Sequence, residues 1–392
     1  MKLKFKIRHI ILAAANAAAL AGMLVMTAAG GNMARSQKYN YAASEWGGKK
    51  GNYTQMSCFF SGDAGFTTDS VSGVRSTMLS ELQTVSVVPE EGKTLVPDAW
   101  SASLGSCQAV SDTNSRTETE VTAVGGDFFL FRDFKLLDGV YFTKDDLMQD
   151  GAVIDRNLAW ALYGSDKISG MNIYINGVQF YVAGVIDLPE TKPEKECAGK
   201  TPRAYISYDM AYSVSSGISQ KSMAGGTSAG DMGTGGDIPG VQMPEKFTKI
   251  TCYECIIPSP VDSFASNTVK KIFGDQYKGK ISIVNNTERF APKKRAKAYK
   301  KLSSSVVRKD GIVYPYWENA SRIVEYKLTR LYHVRKMVMI IPILTLLWIG
   351  FRIFCFWRRK KPKVKKYIER KLDRDWHKFK GLFRRKKNQE EL

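Results

Sequence analysis

Two uninterrupted apolar runs dominate the hydropathy pattern, one near each end of the chain. The first covers residues 10–30 and has no charged residue, with Asn16 as its one strongly polar side chain. The second covers residues 337–357 and carries Pro342 near its start and Arg352 near its end. Each run has about the 20 residues that an α-helix needs to cross a bilayer. We therefore predict two transmembrane helices.

Each apolar run also has another interpretation. Basic residues before residue 10 and small residues at 28–31 also suit a cleaved signal peptide, although the apolar part of such a peptide is usually only about 7–15 residues long. The question of cleavage stays open. The second run resembles the core helix of a soluble protein, but the basic residues 358–361 follow it at once and favour a membrane span.

The charge distribution predicts the orientation. The formal net charge of +20 is concentrated in residues 1–9 and 358–392, and the chain between these segments is close to neutral. Because Lys and Arg beside a span stay on the cytoplasmic side, we predict two cytoplasmic ends and an extracytoplasmic segment at residues 31–336 in the cell membrane. Nucleic-acid binding is not indicated, since it requires a basic face on the folded domain.

Between the spans, alternating strand and helix patterns predict an α+β extracytoplasmic domain. The patterns form two similar sets separated by an insert, which predicts a split β-α-β lobe plus an inserted β-rich lobe. The first set is residues 54–60, 68–85, 100–110 and 117–124, and the second is residues 250–257, 260–273 and 281–284. The insert contains a strand at 151–155, a short helix at 157–163, and strands 171–175 and 178–186 around the hairpin dipeptide Asn176-Gly177.

Three further segments have distinctive compositions. Residues 217–240 are rich in Gly, Ser and Thr and are typical of a flexible loop. Residues 291–336 are mostly helical in pattern and predict a stalk that leads into the second span. Apolar residues recur at helical spacing in the basic segment 358–392, which predicts a helix lying on the anionic inner leaflet or, alternatively, docking onto a cytoplasmic partner.

The residue inventory does not indicate an enzyme. The three histidines, His9, His333 and His377, all lie beside the spans or in a tail, which argues against His-dependent triads and His-ligated zinc. Gly199-Lys200-Thr201 resembles the end of a phosphate-binding loop, but Glu194 stands where the first glycine is required. We predict no catalytic residue, no cofactor and no metal site. A further pattern, Asp145-Asp146 after Thr143, is interpreted as a capped helix start.

The cysteines allow more than one arrangement. Cys252 and Cys255 match the Cys-x-x-Cys spacing, but a redox pair favours a helix N-terminus and these two lie in a strand-like run. With Cys58, Cys107 and Cys197 the extracytoplasmic segment has an odd number of cysteines, so at least one is unpaired. Whether a disulfide such as Cys58–Cys107 forms stays open.

Three segments in order resemble the MacB-like periplasmic core domain of the FtsX/MacB family of ABC-transporter permeases. They are Gly126-Asp-Phe-Phe with residues 137–146, the run AVIDRNLAWALYG at residues 152–164, and the hairpin at residues 172–185. In the second segment Asp155 stands where the family motif, V-I-N-x-x-x-A-x-x-L-F-G, has Asn. The span–domain–span order agrees with that family.

The resemblance implies a mechanical transmitter without catalytic residues, in which a separate ABC ATPase on the cytoplasmic side moves the outer domain. Family members have two further spans, so we expect either a half-permease that needs a second permease chain or self-association, or an accessory subunit. The alternative, from a different class, is a membrane-anchored extracellular binding or scaffold protein without a transport role. The expected partners are therefore the lipid bilayer and a separate ATPase.

Overall fold

The computed structural model describes residues 7–47, 52–88, 94–188, 191–216, 249–261, 263–287, 289–299 and 311–387. The predicted Gly-rich loop, residues 217–240, lies outside these ranges. The chain divides into two compact units, one of residues Gly30–Arg330 and one that combines Met1–Ala29 with Leu331–Leu392.

The secondary structure is a mixture of strands and helices. The strands are β1 Tyr53–Phe60, β2 Asp98–Ser111, β3 Arg116–Gly126, β4 Lys135–Gly139, β5 Gly151–Asp155, β6 Asn172–Ile175, β7 Val178–Asp187, β8 Arg203–Ser207, β9 Cys252–Pro258 and β10 Ile281–Asn285. The helices are α1 Ile7–Arg35, α2 Ala42–Gly47, α3 Thr68–Thr84, α4 Phe128–Phe131, α5 Arg156–Tyr163, α6 Lys192–Ala198, α7 Ala211–Ser216, α8 Phe264–Phe273, α9 Pro292–Ala298, α10 Tyr316–Val338 and α11 Ile340–Lys387.

The strands of the described chain join in one mixed sheet. Their order is β10-β1-β9-β2-β3-β8-β5-β7-β4, and β6 pairs with both β2 and β7. The pairs β3·β8 and β5·β7 are parallel and the others are antiparallel. As predicted, strands from the two ends of the segment, β1, β9 and β10, lie side by side. Because β2 pairs with β9 and β3 with β8, the sheet continues without a break, and a division into two lobes stays a prediction.

Local turn chemistry explains the hairpin between β6 and β7. Asn176 and Gly177 have φ angles of 48° and 82°, the positive values that a tight type I′ turn requires. The Asn176 side-chain oxygen also accepts a hydrogen bond from the backbone N–H of Gln108 in β2, at 2.9 Å. This bond ties the turn to the neighbouring strand.

Helix α5 has a defined beginning and end. The Asp155 carboxylate accepts the backbone N–H of Leu158 at 2.8 Å, which satisfies one of the free donors of the first turn. Gly164 ends the helix in the left-handed region, with φ 68°. Helix α3 follows its predicted pattern, since its buried residues are Val71, Val74, Met78 and Leu82.

Two local predictions are wrong. The helix expected at residues 260–273 begins only at Phe264, because Ser263 adopts a left-handed conformation with φ 67°, and Val261 is exposed. The helix start expected at Asp145-Asp146 is a turn instead. There the Asp146 carboxylate accepts both the backbone N–H and the hydroxyl of Thr143, at 2.9 and 3.1 Å, so the side chain closes the turn on itself.

Among the described residues, two stretches of helix are long and apolar enough to cross a membrane. They are His9–Arg35 within α1, and Tyr316–Arg359 across α10 and α11, which meet at Met339. Helix α11 then continues through the basic segment to Lys387. The sequence interpretation of these runs as candidate spans agrees with their length and composition.

Candidate functional site: buried charges at the first turns of the stalk helix

Charged side chains are seldom buried in proteins unless they are paired. In the described part of this domain six charged residues are at most 4% exposed, and four of the six form two ion pairs, Arg132 with Glu254 and Arg289 with Glu318. Helix α10, named the stalk helix from here on, supplies Glu318 from its first turn. The surroundings of these pairs define the site.

The pair of Arg289 and Glu318 is bidentate. The guanidinium Nη1 and Nη2 atoms donate to the two carboxylate oxygens at 2.7 and 2.9 Å. Arg289 Nε also donates to Glu325, about two turns further along the stalk helix, at 2.9 Å, and Glu325 binds Arg295 of α9 as well. Within the helix, Arg322 donates to Glu318 at 2.7 Å. The first turns of the stalk helix are thus held against the segment that follows β10.

The second pair, at the other end of the site, also contacts the stalk helix. Glu254 lies in the middle of β9, a strand buried along its whole length, and pairs with Arg132 from the loop after α4. The Arg132 guanidinium carbon lies 4.5 Å from the centre of the Trp317 ring, a cation–π contact with the stalk helix. Arg132 therefore links β9 to the stalk helix.

Two polar side chains connect the ion pairs. The Ser57 hydroxyl in β1 donates to Glu254 at 2.7 Å and accepts from the Asn286 amide at 2.7 Å. The Asn286 amide oxygen then accepts from Arg289 at 3.3 Å. The resulting chain of contacts, Arg132–Glu254–Ser57–Asn286–Arg289–Glu318, is called the buried charge network below.

The segment directly after α1 contacts the stalk helix too. The Asn40 amide donates to the Ser321 hydroxyl at 2.9 Å, and that hydroxyl donates to Gln37 at 3.4 Å. The ring of Tyr39 lies 5.6 Å from the guanidinium carbon of Arg132. The segment that follows the first apolar helix therefore contacts the stalk helix, which leads into the second apolar helix.

The surroundings shift the pKa values of two carboxyl groups of the site in opposite directions. Burial raises the pKa of Glu254, and the charge of Arg132 opposes that rise. Burial also acts to raise the pKa of Glu325, but the guanidinium groups of Arg289 and Arg295 outweigh it, so that this pKa is lowered. Burial acts to lower the pKa of Arg289, but Glu318 and Glu325 outweigh it and raise this pKa.

This arrangement is suited to mechanical coupling. A buried ion pair that loses one partner leaves an uncompensated charge, which costs about 3–5 kcal/mol. Such pairs resist gradual displacement and favour discrete arrangements of the elements that they join. The network thus connects the stalk helix to β1, β9 and the segment after β10.

Comparison with known families gives the assignment. The profile of the family described as MacB-like periplasmic core domain matches residues 15–231, which is more than half of the 392 residues. The chain belongs to this family. A search of curated proteins finds no match.

Two solved structures illustrate the relatives of this MacB-like chain. The extracellular domain of the noncanonic ABC-type transporter YknZ from Gram-positive bacteria is 14% identical, with 60% of this chain and 100% of that chain covered and a TM-score of 0.36. The periplasmic region of MacB from Actinobacillus actinomycetemcomitans is 18% identical, with 59% and 88% covered and a TM-score of 0.33.

The first of the three segments that resemble MacB-like domains lies close to the site. Gly126, at the end of β3, has φ 66°, and a Cβ there would lie 2.4 Å from the Asp98 carbonyl oxygen. This close approach permits the backbone N–H of Asp127 to donate to the same oxygen at 2.8 Å. Phe128, next in the motif, packs edge-on against Trp317 and lies 5.7 Å from the guanidinium carbon of Arg132. The motif therefore positions α4 and Arg132.

The residues considered for chemistry in the sequence are dispersed. His9 lies in α1 and His333 in the stalk helix, and Gly199 ends α6 with φ 73°. All six cysteines are free, including Cys58 and Cys107. Cys252 and Cys255 lie in β9, where burial raises both thiol pKa values well above normal. Within the described ranges, no cluster of three or more His, Cys, Asp or Glu could hold a metal.

The sequence interpretation missed the buried charge network. Its members are scattered over the chain, and a single Arg or Glu usually indicates a solvated surface. One signal was present: Glu254 is a charged residue within an otherwise apolar strand run, residues 250–257. A buried carboxylate of this kind requires a cationic partner.

Proposed function

We propose that this chain is the membrane subunit of an ABC-transporter-type system, and that it transmits conformational change between a separate cytoplasmic ATPase and an external substrate or partner. The MacB-like family assignment supports the transporter class. The observation that carries the coupling role is the bidentate pair of Arg289 and Glu318, both 3% exposed, at the first turn of the helix that leads into the second apolar run.

In the proposed topology both apolar helices cross the cell membrane, both ends of the chain are cytoplasmic, and residues 31–336 are extracytoplasmic. The basic flanks at residues 1–9 and 358–392 support this orientation. Protease added to intact cells, after the outer membrane is permeabilised where one is present, should cleave within residues 31–336 and spare an epitope at the C-terminus. Digestion of the C-terminal epitope first would contradict the topology.

In the proposed mechanism a movement of either membrane helix reaches the sheet through the stalk helix. Trp317 and Glu318 transmit it to β9 and to the segment after β10, while Ser321 transmits it to Asn40. The partners are a separate ABC ATPase and a second permease chain or a second copy of this chain.

The first experiment tests the partner. The full chain, purified from its source in mild detergent after light crosslinking, should bring down an ABC ATPase, with or without a four-span permease. Recovery of the chain by itself under these conditions would refute the proposal. The crosslinked mass would also distinguish a second permease chain from self-association.

The second experiment tests the coupling. In the purified complex, ATP with vanadate should change hydrogen exchange in the extracytoplasmic domain of the wild type. The double variant Arg289→Met/Glu318→Leu should fold, because replacing both members of a buried pair by apolar residues is often neutral. Glu325 keeps Arg295 as its partner in this variant. We expect the ATP-dependent exchange change to be lost.

A matched control removes a pair that does not touch the network. Lys271 and Glu81 form an ion pair of 2.7 Å in which Lys271 is 69% exposed. The variant Lys271→Met/Glu81→Leu should keep the ATP-dependent change. An equal ATP-dependent change in hydrogen exchange in Arg289→Met/Glu318→Leu and in this control would show that the buried charges are not the coupling element.

A deletion separates the proposal from the scaffold alternative. Removal of residues 363–392 should abolish ATPase association or stimulation if the chain is a coupled subunit. A membrane-anchored binding protein would keep its function and its surface level without this segment. Full activity of the truncated chain would therefore favour the scaffold role.

A further inference from the structure

A groove of about 1000 Å³ lies between the two apolar helices, within the unit formed by both ends of the chain. Helix α1 lines it with His9, Leu12, Ala13 and Asn16. Helix α11 lines it with residues between Pro342 and Arg359. The groove belongs neither to the buried charge network nor to the extracytoplasmic domain.

The groove is apolar along its length and basic at one end. Its walls are mostly aliphatic and aromatic, including Leu346, Ile349, Ile353 and Phe356. Three of its lining residues are basic and none of the lining residues in this described part is acidic: the basic ones are His9, Arg352 and Arg359.

The helix register brings two of the basic groups, His9 and Arg352, to one level. The Asn16 amide donates to the Thr345 hydroxyl across the helix pair at 3.1 Å. His9 and Arg352 lie equally far along their helices from this bond, about 10 Å at 1.5 Å per residue, and in the same direction because the chain runs oppositely in the two helices. Arg359 lies about two turns beyond Arg352.

Arg352 is also shaped for an interface. Its guanidinium carbon lies 5.3 Å from the centre of the Trp348 ring, so the aromatic face supports the long side chain. A side chain of this length buries its stem in an apolar layer and extends its charge toward water or headgroups. The groove thus joins an acyl-chain environment to a cationic mouth.

We propose that this groove binds one acidic phospholipid, with an acyl chain along the apolar walls and the headgroup phosphate at Arg352, Arg359 and His9. Basic pockets between membrane helices on the cytoplasmic side are suited to anionic headgroups. The charge at the mouth favours this occupant over an apolar helix from another chain, which would leave the basic groups without a counter-charge. The proposal depends on the membrane topology proposed above, but not on an ATPase.

The test uses the purified full chain in a neutral detergent, without any partner. Phosphatidylglycerol and phosphatidylcholine of identical acyl chains are added in equal amounts, and retained lipid is counted by native mass spectrometry. We expect about one phosphatidylglycerol per chain in preference to phosphatidylcholine. The variant Arg352→Gln/Arg359→Gln should retain about tenfold less phosphatidylglycerol.

A charge-matched control is Arg358→Gln/Arg370→Gln, since both residues are exposed and neither lines the groove. The amount of phosphatidylglycerol that it retains should be within about twofold of the amount retained by the wild type. The variant Arg352→Lys keeps the positive charge and should also retain phosphatidylglycerol. Its retention shows that the loss in Arg352→Gln/Arg359→Gln reports the charge of the site and not a failure to fold. Unchanged helix content by circular dichroism is required of every variant.

Four outcomes would overturn the lipid site. The first is a loss of phosphatidylglycerol in the control variant equal to that in Arg352→Gln/Arg359→Gln, and the second is retention of phosphatidylcholine equal to that of phosphatidylglycerol. The third is displacement of the bound lipid by inorganic phosphate alone, and the fourth is a second copy of the chain bound in the groove in place of lipid. The third outcome would mean that free phosphate is the ligand. Lipid retention that persists while no ATPase co-purifies would leave this site standing and count only against the proposed transport function.

Discussion

Arg289 and Glu318 join the segment after β10 to the stalk helix through two parallel hydrogen bonds of 2.7 and 2.9 Å, buried on both sides. Removing Glu318 takes the bidentate partner from the buried Arg289 guanidinium and leaves it with Glu325, a carboxylate that it shares with Arg295. We therefore expect Glu318→Leu to lower the free energy of unfolding by about 3–5 kcal/mol. Urea unfolding of the full chain in detergent, followed by tryptophan fluorescence, measures this loss.

The double variant Arg289→Met/Glu318→Leu should recover much of that loss, because the buried guanidinium is gone as well and only Arg322, which is 18% exposed, loses a partner. The exposed pair provides the reference, since Lys271→Met should cost no more than about 1 kcal/mol. A double variant as unstable as the single one would indicate that packing, and not charge, dominates at this contact.

Asp155 gives a prediction in the dependence of stability on pH. Burial raises the pKa of this carboxyl group to about 6, against hydrogen bonds from Leu158 and Arg203 that lower it. Between its ordinary value of 3.8 and about 6, the folded state binds more protons than the unfolded state. The contribution of Asp155 to the free energy of unfolding therefore falls as the pH rises through that window. Above the window the full loss of stability is present.

The variant Asp155→Asn removes the charge and keeps an oxygen that accepts the Leu158 N–H, and the MacB-like motif has Asn at this place. We expect it to raise the free energy of unfolding at pH 7.5 by about 2–3 kcal/mol and to flatten the profile between pH 4 and 6. Asp155→Ala also loses the helix cap, which costs about 1 kcal/mol, and should gain less. Parallel pH profiles for Asp155→Asn and the wild type would show that Asp155 does not titrate in this window.

The parts of this fold that follow from local chemistry were predictable from sequence. Asn176-Gly177 defines its hairpin because few other residues adopt two successive positive φ angles. Strand β5 and helix α5 follow from a short apolar run and from Gly164, which ends the helix. Both elements were predicted within one residue of their observed bounds.

The parts that depend on distant contacts were not predictable. Nothing local in β3 indicates that it pairs in parallel with β8, because that pairing is decided by the elements between them. The buried charge network is of the same kind. Arg132, Arg289 and Glu318 resemble surface residues in sequence, and only the assembled sheet removes them from water.

The cysteines should differ sharply in reactivity. Burial raises the pKa of Cys58, Cys252 and Cys255, so little reactive thiolate forms at neutral pH. Cys197 is half-buried in α6 and is the more accessible thiol of the extracytoplasmic domain. With a soluble maleimide and peptide mass spectrometry, we expect Cys197 to be labelled in the native chain and the four buried thiols, Cys107 included, only after unfolding.

The variant Cys197→Ser provides the control for this labelling and should show almost no native modification in the extracytoplasmic domain. Recovery of Cys252 and Cys255 as a disulfide, or their labelling at the rate of Cys197, would restore the redox interpretation of the Cys-x-x-Cys pattern.

Two glycines with the same backbone conformation should respond differently to alanine. Gly139 and Gly164 have φ angles of 71° and 68°, which cost an L-residue about 1–2 kcal/mol. A Cβ at Gly164 meets open space, whereas at Gly139 it would lie 2.1 Å from the Ala183 carbonyl oxygen of β7. We expect Gly164→Ala to cost about 1 kcal/mol and Gly139→Ala clearly more, with loss of the β4·β7 pairing at the sheet edge. Hydrogen exchange should then show deprotection of residues 135–139 in Gly139→Ala alone. Equal protection of this strand in both variants would mean that β7 shifts to accept the methyl group.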